Sequence, residues 1–215
     1  MKKRFLAILL VLTMVLAVLP VQALAASGKV RGISAGVSVT DDGVVMNLKW
    51  KKVSGAEGYE YAYNLFWKKG SGIGDYTVKS TDKTSAKIAL KDYGAVDVRV
   101  RAYRTVNGKK VYGAWSNSRL KRSKLDKLVI KQLKKRMKSK KLFLKATSGT
   151  VNVYAGAGDG YRVVSTMNRL DEARATGSFK RDGSGTWWSK IYVSLDQNHT
   201  TTGWVSRKVT DPVWY

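Results

Sequence analysis

The sequence has no cysteine, one histidine and few acids. Fifteen aspartates and glutamates stand against forty lysines and arginines in 215 residues, a formal charge of +25. The absence of cysteine excludes disulfides, a thiol nucleophile, thiolate-bound zinc and a cysteine-linked lipid anchor. A chain like this, if exported, takes its stability from packing alone. A catalytic zinc site wants at least two imidazoles with a carboxylate or thiolate, which one histidine cannot supply. That histidine lies in the polar stretch Asn198-His199-Thr200-Thr201 and reads as a solvated loop residue, not as part of a Ser–His–Asp triad. No metal or cofactor is expected.

The scarce acids form two adjacent pairs, Asp41/Asp42 and Asp171/Glu172. A glycosidase needs two carboxylates flanking one bond. Neighbours on a strand point to opposite faces, and in a turn they are usually solvated. Gly70-Ser71-Gly72-Ile73-Gly74 has the composition of a phosphate-cradling loop. It lies between strand-like segments and not at a helix start, so it reads as a hairpin connection. A non-enzymatic protein is therefore expected, with no catalytic residue and no companion catalytic domain.

At the N-terminus, Lys2, Lys3 and Arg4 precede the apolar run Phe5 to Val18, Pro20 and the small residues of Ala23-Leu24-Ala25. This is the pattern of a secretory signal peptide over 1–26. The apolar run is shorter than the ~20 residues that span a bilayer comfortably. Cleavage is favoured over an uncleaved anchor, and no transmembrane segment is expected after it. A secreted or extracellular product, free or wall-associated, is the expectation.

The excess charge is concentrated. Residues 27–120 hold 17 basic and 8 acidic side chains, and 142–215 hold 9 and 6. Residues 121–141 alone hold 11 basic and 1 acidic. A localised block of this kind points to an anionic partner more than to general solubility. Within it Leu125, Leu128, Val129, Leu133 and Met137 recur at helical spacing, which predicts an amphipathic helix over Leu125 to Met137. Lys127, Lys131, Lys134, Lys135, Arg136 and Lys138 are the candidate polyanion-binding residues. A solvated spacer and a surface for anionic wall polymers or lipid headgroups are both open readings. Nucleic acid is expected only as a nonspecific partner at low salt.

Elsewhere the pattern is of short strands. Val44, Met46 and Leu48 share one side, with Trp50 ending the row. Tyr59, Tyr61 and Tyr63 alternate after the turn Gly55-Ala56-Glu57-Gly58. Val96, Val98, Val100 and Ala102 alternate most clearly, with Asp97, Arg99 and Arg101 expected to face out. Asn107-Gly108 is a two-residue hairpin signal. Strands at regular spacing with Gly-rich turns predict a β-sandwich over 27–120.

Leu48-Lys49-Trp50, Val53 to Tyr59, Val98 to Tyr103, Asn107-Gly108 and Gly113-Ala114-Trp115-Ser116 together resemble a fibronectin type III domain, over about 31–120. Val96 stands where that family usually has a corner-forming tyrosine. After the helical linker 121–141, residues 142–215 return to short strands suited to a small barrel. Val151 to Gly156, Tyr161 to Met167, Trp188 to Ile191 and Gly203 to Ser206 resemble the bacterial SH3 family over about 144–210. Tyr154 and Ala157 replace that family's arginine and proline. The expected fold class is thus mainly β: a fibronectin type III-like β-sandwich and a small SH3-like β-barrel, joined by a basic helical linker.

On Trp187 to Leu195, alternation puts Trp187, Ile191, Val193 and Leu195 on a core face and Trp188, Lys190 and Tyr192 on the other. Trp188, Lys190 and Tyr192 are candidates for ligand binding, together with Tyr154 and Trp204 where the SH3 resemblance holds. Trp204 packed in the barrel core is an equal alternative. The resemblances imply a secreted wall-associated binding protein whose SH3-like module takes peptidoglycan or another wall polymer. In that picture the sandwich is a spacer or protein-contact module. The rival is an extracellular adhesin or scaffold that binds protein partners without wall affinity.

Overall fold

A computed structural model describes residues 28–194 and 199–215. The expected signal segment 1–26 and Leu195 lie outside the described residues. The chain is mainly β, with one α-helix among the described residues. In chain order come β1 (Ser34–Thr40), β2 (Gly43–Lys49), β3 (Gly58–Asn64), β4 (Thr77–Thr81), β5 (Ser85–Ala89), β6 (Val96–Val106), β7 (Lys109–Tyr112) and β8 (Ser116–Leu120). The helix α1 (Arg122–Arg136) follows, then β9 (Leu142–Ala146), β10 (Thr150–Tyr154), β11 (Val163–Asn168), β12 (Glu172–Arg181), β13 (Trp187–Ser194), β14 (Thr200–Ser206) and β15 (Thr210–Trp214).

Two compact units emerge. The first holds 28–35, Asn47–Ile88 and Ala95–Leu120; the second holds Gly36–Met46, Ala89–Gly94 and Lys121–Tyr215. Three sheets run through the chain: β1-β2-β5, then β4-β3-β6-β7 with β8 also on β6, then β11-β10-β14-β13-β12-β9-β15.

In the first unit, period-two alternation decides what is buried. Leu48, Trp50, Tyr59, Tyr61, Ile88, Val96, Val98, Val100 and Ala102 form its apolar interior. The Trp50 ring lies 5.6 Å from Tyr59 and 6.3 Å from Tyr61. The architecture is that of a β-sandwich. Asn107 and Gly108 carry φ of 50° and 76° between β6 and β7, the left-handed pair that a tight hairpin requires. The Gly70 to Gly74 stretch does connect β3 to β4, with a short 3-10 turn at Ile73–Asp75.

The outer face of β6 departs from the expectation. Asp97 does not face solvent: it is 0 % exposed. Its carboxylate accepts hydrogen bonds from the Tyr76 hydroxyl at 2.8 Å, Arg119 Nε at 2.7 Å and Arg99 Nε at 3.3 Å. Arg99 and Arg101 are half-buried. Their guanidinium groups lie over rings, Arg99 4.3 Å from Tyr76 and Arg101 3.8 Å from Tyr112. Tyr112 of β7 and Tyr76, just before β4, roof this face, so charges placed there are covered instead of solvated. Arg101 also donates to Glu60 at 2.6 Å, and the Tyr112 hydroxyl donates to Glu60 at 2.8 Å. Burial alone would raise the Glu60 carboxyl, but these donors and the charges of Arg101 and Lys110 hold it below its ordinary value.

In the second unit the interior is built from alternating residues of the seven-stranded sheet: Leu142, Leu144, Val151, Val153, Ile191 and Val205 among them. The strand path is open, because β11 and β15 are its ends and do not pair. The expected barrel is therefore not closed by hydrogen bonds among the described residues. Sheet curvature comes from β12, whose register shifts between Ala175 and Phe179, where Gly177 has φ of 89°. This bulge lets one half of β12 pair with β9 and the other half with β13. Gly203 on β14 is a close-approach position: a methyl there would overlap Val153 and crowd Val164.

The helix spans Arg122–Arg136, starting three residues before the predicted Leu125 and ending one before Met137. Lys121 offers no side-chain cap, and the first turn has no acid. Burial of Leu125 and Val129 must therefore hold the helix in place, since propensity alone leaves one of this length marginal.

Candidate binding groove

The strongest candidate site lies on the seven-stranded sheet. Register fixes its membership. Tyr154 on β10 stands opposite Trp204 on β14, and Trp204 stands opposite Lys190 on β13. Trp188 and Tyr192 are two residues either side of Lys190, so all five predicted ligand-binding residues share one face of the sheet. Trp204 is on the face opposite Val205, which belongs to the interior. It is nevertheless buried, and Lys180 Nζ lies 5.7 Å from its ring.

The five are not equally available. Tyr192 is 46 % exposed and Lys190 is partly buried. Trp188 is only 3 % exposed, so it is not the open surface residue that alternation implied. The Tyr154 ring packs edge-to-face with it, centroids 5.6 Å apart and planes at 83°. Its indole N–H donates to Asp182 at 2.7 Å. On the core face, Ile191 and Val193 are buried as expected, while Trp187 is only half-buried.

Asp182 organises the turn between β12 and β13. Its carboxylate also accepts the Thr186 backbone N–H at 2.9 Å and the Ser184 hydroxyl at 2.6 Å. Burial would raise this carboxyl, but the donors from Ser184, Trp188 and the Thr186 and Ser184 backbone bring it down to about 2. It is therefore ionised throughout the physiological range. Opposite, the Gly156 to Gly160 loop carries Asp159. The Tyr161 ring lies so close over Gly156 that a Cβ there would overlap it.

Between these elements is a groove of about 530 Å³, lined by Asn152, Tyr154, Asp159, Asp182, Trp188 and Lys208 among others. It joins an aromatic pair to two carboxylates within a chain that is otherwise cationic. That combination suits an extended polar ligand with an amine to pair and a flat face to stack. Sequence reading found the aromatics and missed both acids. Asp182-Gly183-Ser184-Gly185-Thr186 read only as a glycine turn, although Asp followed by Ser and Thr is the composition of a side-chain-capped turn.

The cationic segment divides into two groups. Lys127, Lys131, Lys134, Lys135 and Lys138 are exposed, as predicted. Arg136 is not a free cation: it donates to the Val39 carbonyl at 2.7 Å, pairs with Asp41 and lies 4.7 Å from the Trp214 ring. All of these residues belong to the second unit.

The remaining candidates have structural partners. Asp41 is paired to Arg136 and to Lys140 at 3.7 Å. Asp171 accepts the Asn168 N–H at 2.7 Å, and Glu172 accepts the Tyr215 hydroxyl at 2.9 Å. His199 is exposed beside β14. Among the described residues no three His, Asp or Glu side chains gather as a metal site would need, and no helix is long and apolar enough to cross a membrane. No family model matches the chain, and no curated protein matches it.

Proposed function

We propose that this is a secreted, non-enzymatic binding protein of the bacterial cell wall. In this reading an SH3-like module on the seven-stranded sheet takes peptidoglycan, and a fibronectin type III-like sandwich acts as spacer or protein-contact module. The observation that carries the reading is the groove. Stem peptides are extended, amide-rich and commonly bear an amine. An amine would be attracted to Asp159 and Asp182, and the backbone would lie along the Tyr154 ring, which Trp188 beneath it holds in place. The strand order β4-β3-β6-β7, with β8 also on β6, supports the sandwich assignment.

The test is retention on purified peptidoglycan, with and without its attached anionic polymers. Wild-type protein should be retained on stripped wall. Tyr154→Ala and Asp159→Asn should each lower retention at least tenfold while leaving the far-UV circular dichroism unchanged. Trp188→Phe keeps the ring and loses the N–H to Asp182, which avoids emptying a buried site. Absence of wild-type retention on stripped wall refutes the proposal.

A second reading, an adhesin or scaffold that contacts protein, draws on a different feature. β4 is an edge strand of the first unit, and Val78 on it, with Phe66 and Ile73 before it, is about half exposed. Edges of this kind accept added strands. Binding of a protein partner lost on Val78→Lys, together with no wall retention, would favour it.

A further inference from the structure

Helix α1 carries a cationic stripe that neither its packing nor the groove uses. At 3.6 residues per turn, Lys124, Lys127, Lys131, Lys134 and Lys135 fall within about 100° of helical arc. Each is exposed, whereas Leu125 and Val129 on the far side are buried. Lys138 follows in the turn that closes the helix. None of these six lysines is within ion-pair distance of a carboxylate among the described residues. The one acid of the helix, Asp126, lies on another face, with Arg181 at 3.9 Å. Nearby cations that do have an acid use it: Arg136 and Lys140 both approach Asp41. The stripe is what remains uncompensated.

We infer that this stripe docks a linear phosphodiester polyanion of the non-nucleic kind found as an anionic polymer of cell walls. Three features select that occupant. The charges form a row about 16 Å long, from Lys124 to Lys135, with Lys124, Lys127, Lys131 and Lys134 about one turn apart along the axis and Lys135 beside the last. A row fits a flexible chain with charge repeated along its length better than a compact anion. Every member is lysine, a point-charge donor that binds phosphate without needing the planar, two-pronged geometry of arginine. Leu125 and Val129 are buried and Leu128, Ile130 and Leu133 are half-buried, which leaves no fully exposed apolar residue on α1 to insert into a bilayer, so lipid headgroups would hold the helix only weakly. No aromatic residue lies on α1 to stack bases, which single-stranded nucleic acid recognition uses. The inference does not depend on the groove.

The experiment measures binding of the full chain to two probes, inorganic polyphosphate and poly(glycerol phosphate), by fluorescence anisotropy across a salt series. The slope of log K against log salt reports the phosphates neutralised. The triple variant Lys127→Gln/Lys131→Gln/Lys135→Gln should lower that slope by about 2, the change expected for three lost contacts on a single chain. Its affinity at physiological salt should fall at least tenfold. A control of equal charge, Lys79→Gln/Lys83→Gln/Lys87→Gln, changes three exposed lysines of the first unit and should leave affinity within twofold. Equal loss in both triples would mean that net charge alone attracts the polymer, and would overturn the site. Tighter binding to phosphatidylglycerol vesicles or to oligo-dT than to poly(glycerol phosphate) would overturn the occupant. Stripped peptidoglycan carries none of this polymer, so failure of the groove and failure of the stripe give separate results.

Discussion

Replacing Asp97 by alanine removes the acceptor at the centre of the roofed face of β6. Two of its hydrogen bonds are short, to the Tyr76 hydroxyl at 2.8 Å and Arg119 Nε at 2.7 Å; the third, to Arg99 Nε, is 3.3 Å. A hydrogen bond involving a charged group contributes about 1.5–3 kcal/mol net. The partners left behind do not suffer equally. The Arg119 side chain is 51 % exposed and can return to water, and Arg99 keeps its place over the Tyr76 ring. The Tyr76 hydroxyl belongs to a buried residue and loses its acceptor, a penalty of about 1–3 kcal/mol. Relief from burying a carboxylate offsets part of this. The sum is a loss of about 3 kcal/mol, a fall of more than ~10 °C in Tm for a unit of this size. Asp97→Asn keeps the shape and one acceptor oxygen and should cost about half as much. Urea unfolding followed by tryptophan fluorescence reads both variants. If Asp97→Ala costs less than ~1 kcal/mol, the carboxylate is not the keystone that its hydrogen bonds imply.

Three further outcomes follow from the second unit. Asp182 has its folded pKa lowered to about 2, so its contribution to stability is complete above about pH 4 and lost as pH falls through 2. Unfolding midpoints of wild type and Asp182→Asn should therefore converge between about pH 4 and pH 2 and differ most at neutral pH; a gap constant down to pH 2 would contradict this. Lys131→Glu turns three like-charge neighbours, Lys127, Lys134 and Lys135, into attractive pairs, a gain of about 1–2 kcal/mol at low ionic strength. That gain should shrink at high salt, where the screening length is near 3 Å, and calorimetry at two salt concentrations would detect it. Gly203→Ala inserts a methyl against Val153 and Val164 and should cost about 3 kcal/mol, with loss of the near-UV signal of Trp188. A Tm within 2 °C of wild type would show that β14 can shift to make room.

What the sequence made legible was what depends on neighbours within a few residues. Alternation in Val96 to Ala102 and at Ile191 and Val193 identified the core face of β6 and of the second half of β13, because a period of two is a property of one strand; at the start of β13 it failed, with Trp187 half-buried and Trp188 buried. The left-handed pair at Asn107-Gly108 and the helix itself were readable for the same reason, although of the expected stripe Leu125 and Val129 are buried while Leu128, Leu133 and Met137 are half-buried. The errors share a cause. Asp97 was expected in water because its roof comes from Tyr76 and Arg119, each more than twenty positions away. Trp188 was expected on an open surface because Tyr154, which covers it, lies on β10. Arg136 was expected to be free because its acid, Asp41, is 95 residues earlier. In each case the second partner of a polar or aromatic group is supplied by topology, which local pattern does not encode.

The same reasoning explains why the six lysines remain exposed and unpaired among the described residues while Arg136 does not. A lone cation in a sequence is uninformative, since fold can deliver an acid to it from anywhere. Six cations confined to one exposed arc and its closing turn are different, because neutralising them from within would take several acids on one facing surface. The chain has only fifteen acids for forty basic residues, and Asp41 and Asp126 are already paired with Arg136, Lys140 and Arg181. Among the described residues, no carboxylate stands within ion-pair distance of the stripe. Each like-charge pair on the helix costs about 0.2–0.5 kcal/mol, which the fold carries without any return in packing. A cost of that kind, placed on a face that packing leaves open, is most simply explained by a polyanion that removes it on binding.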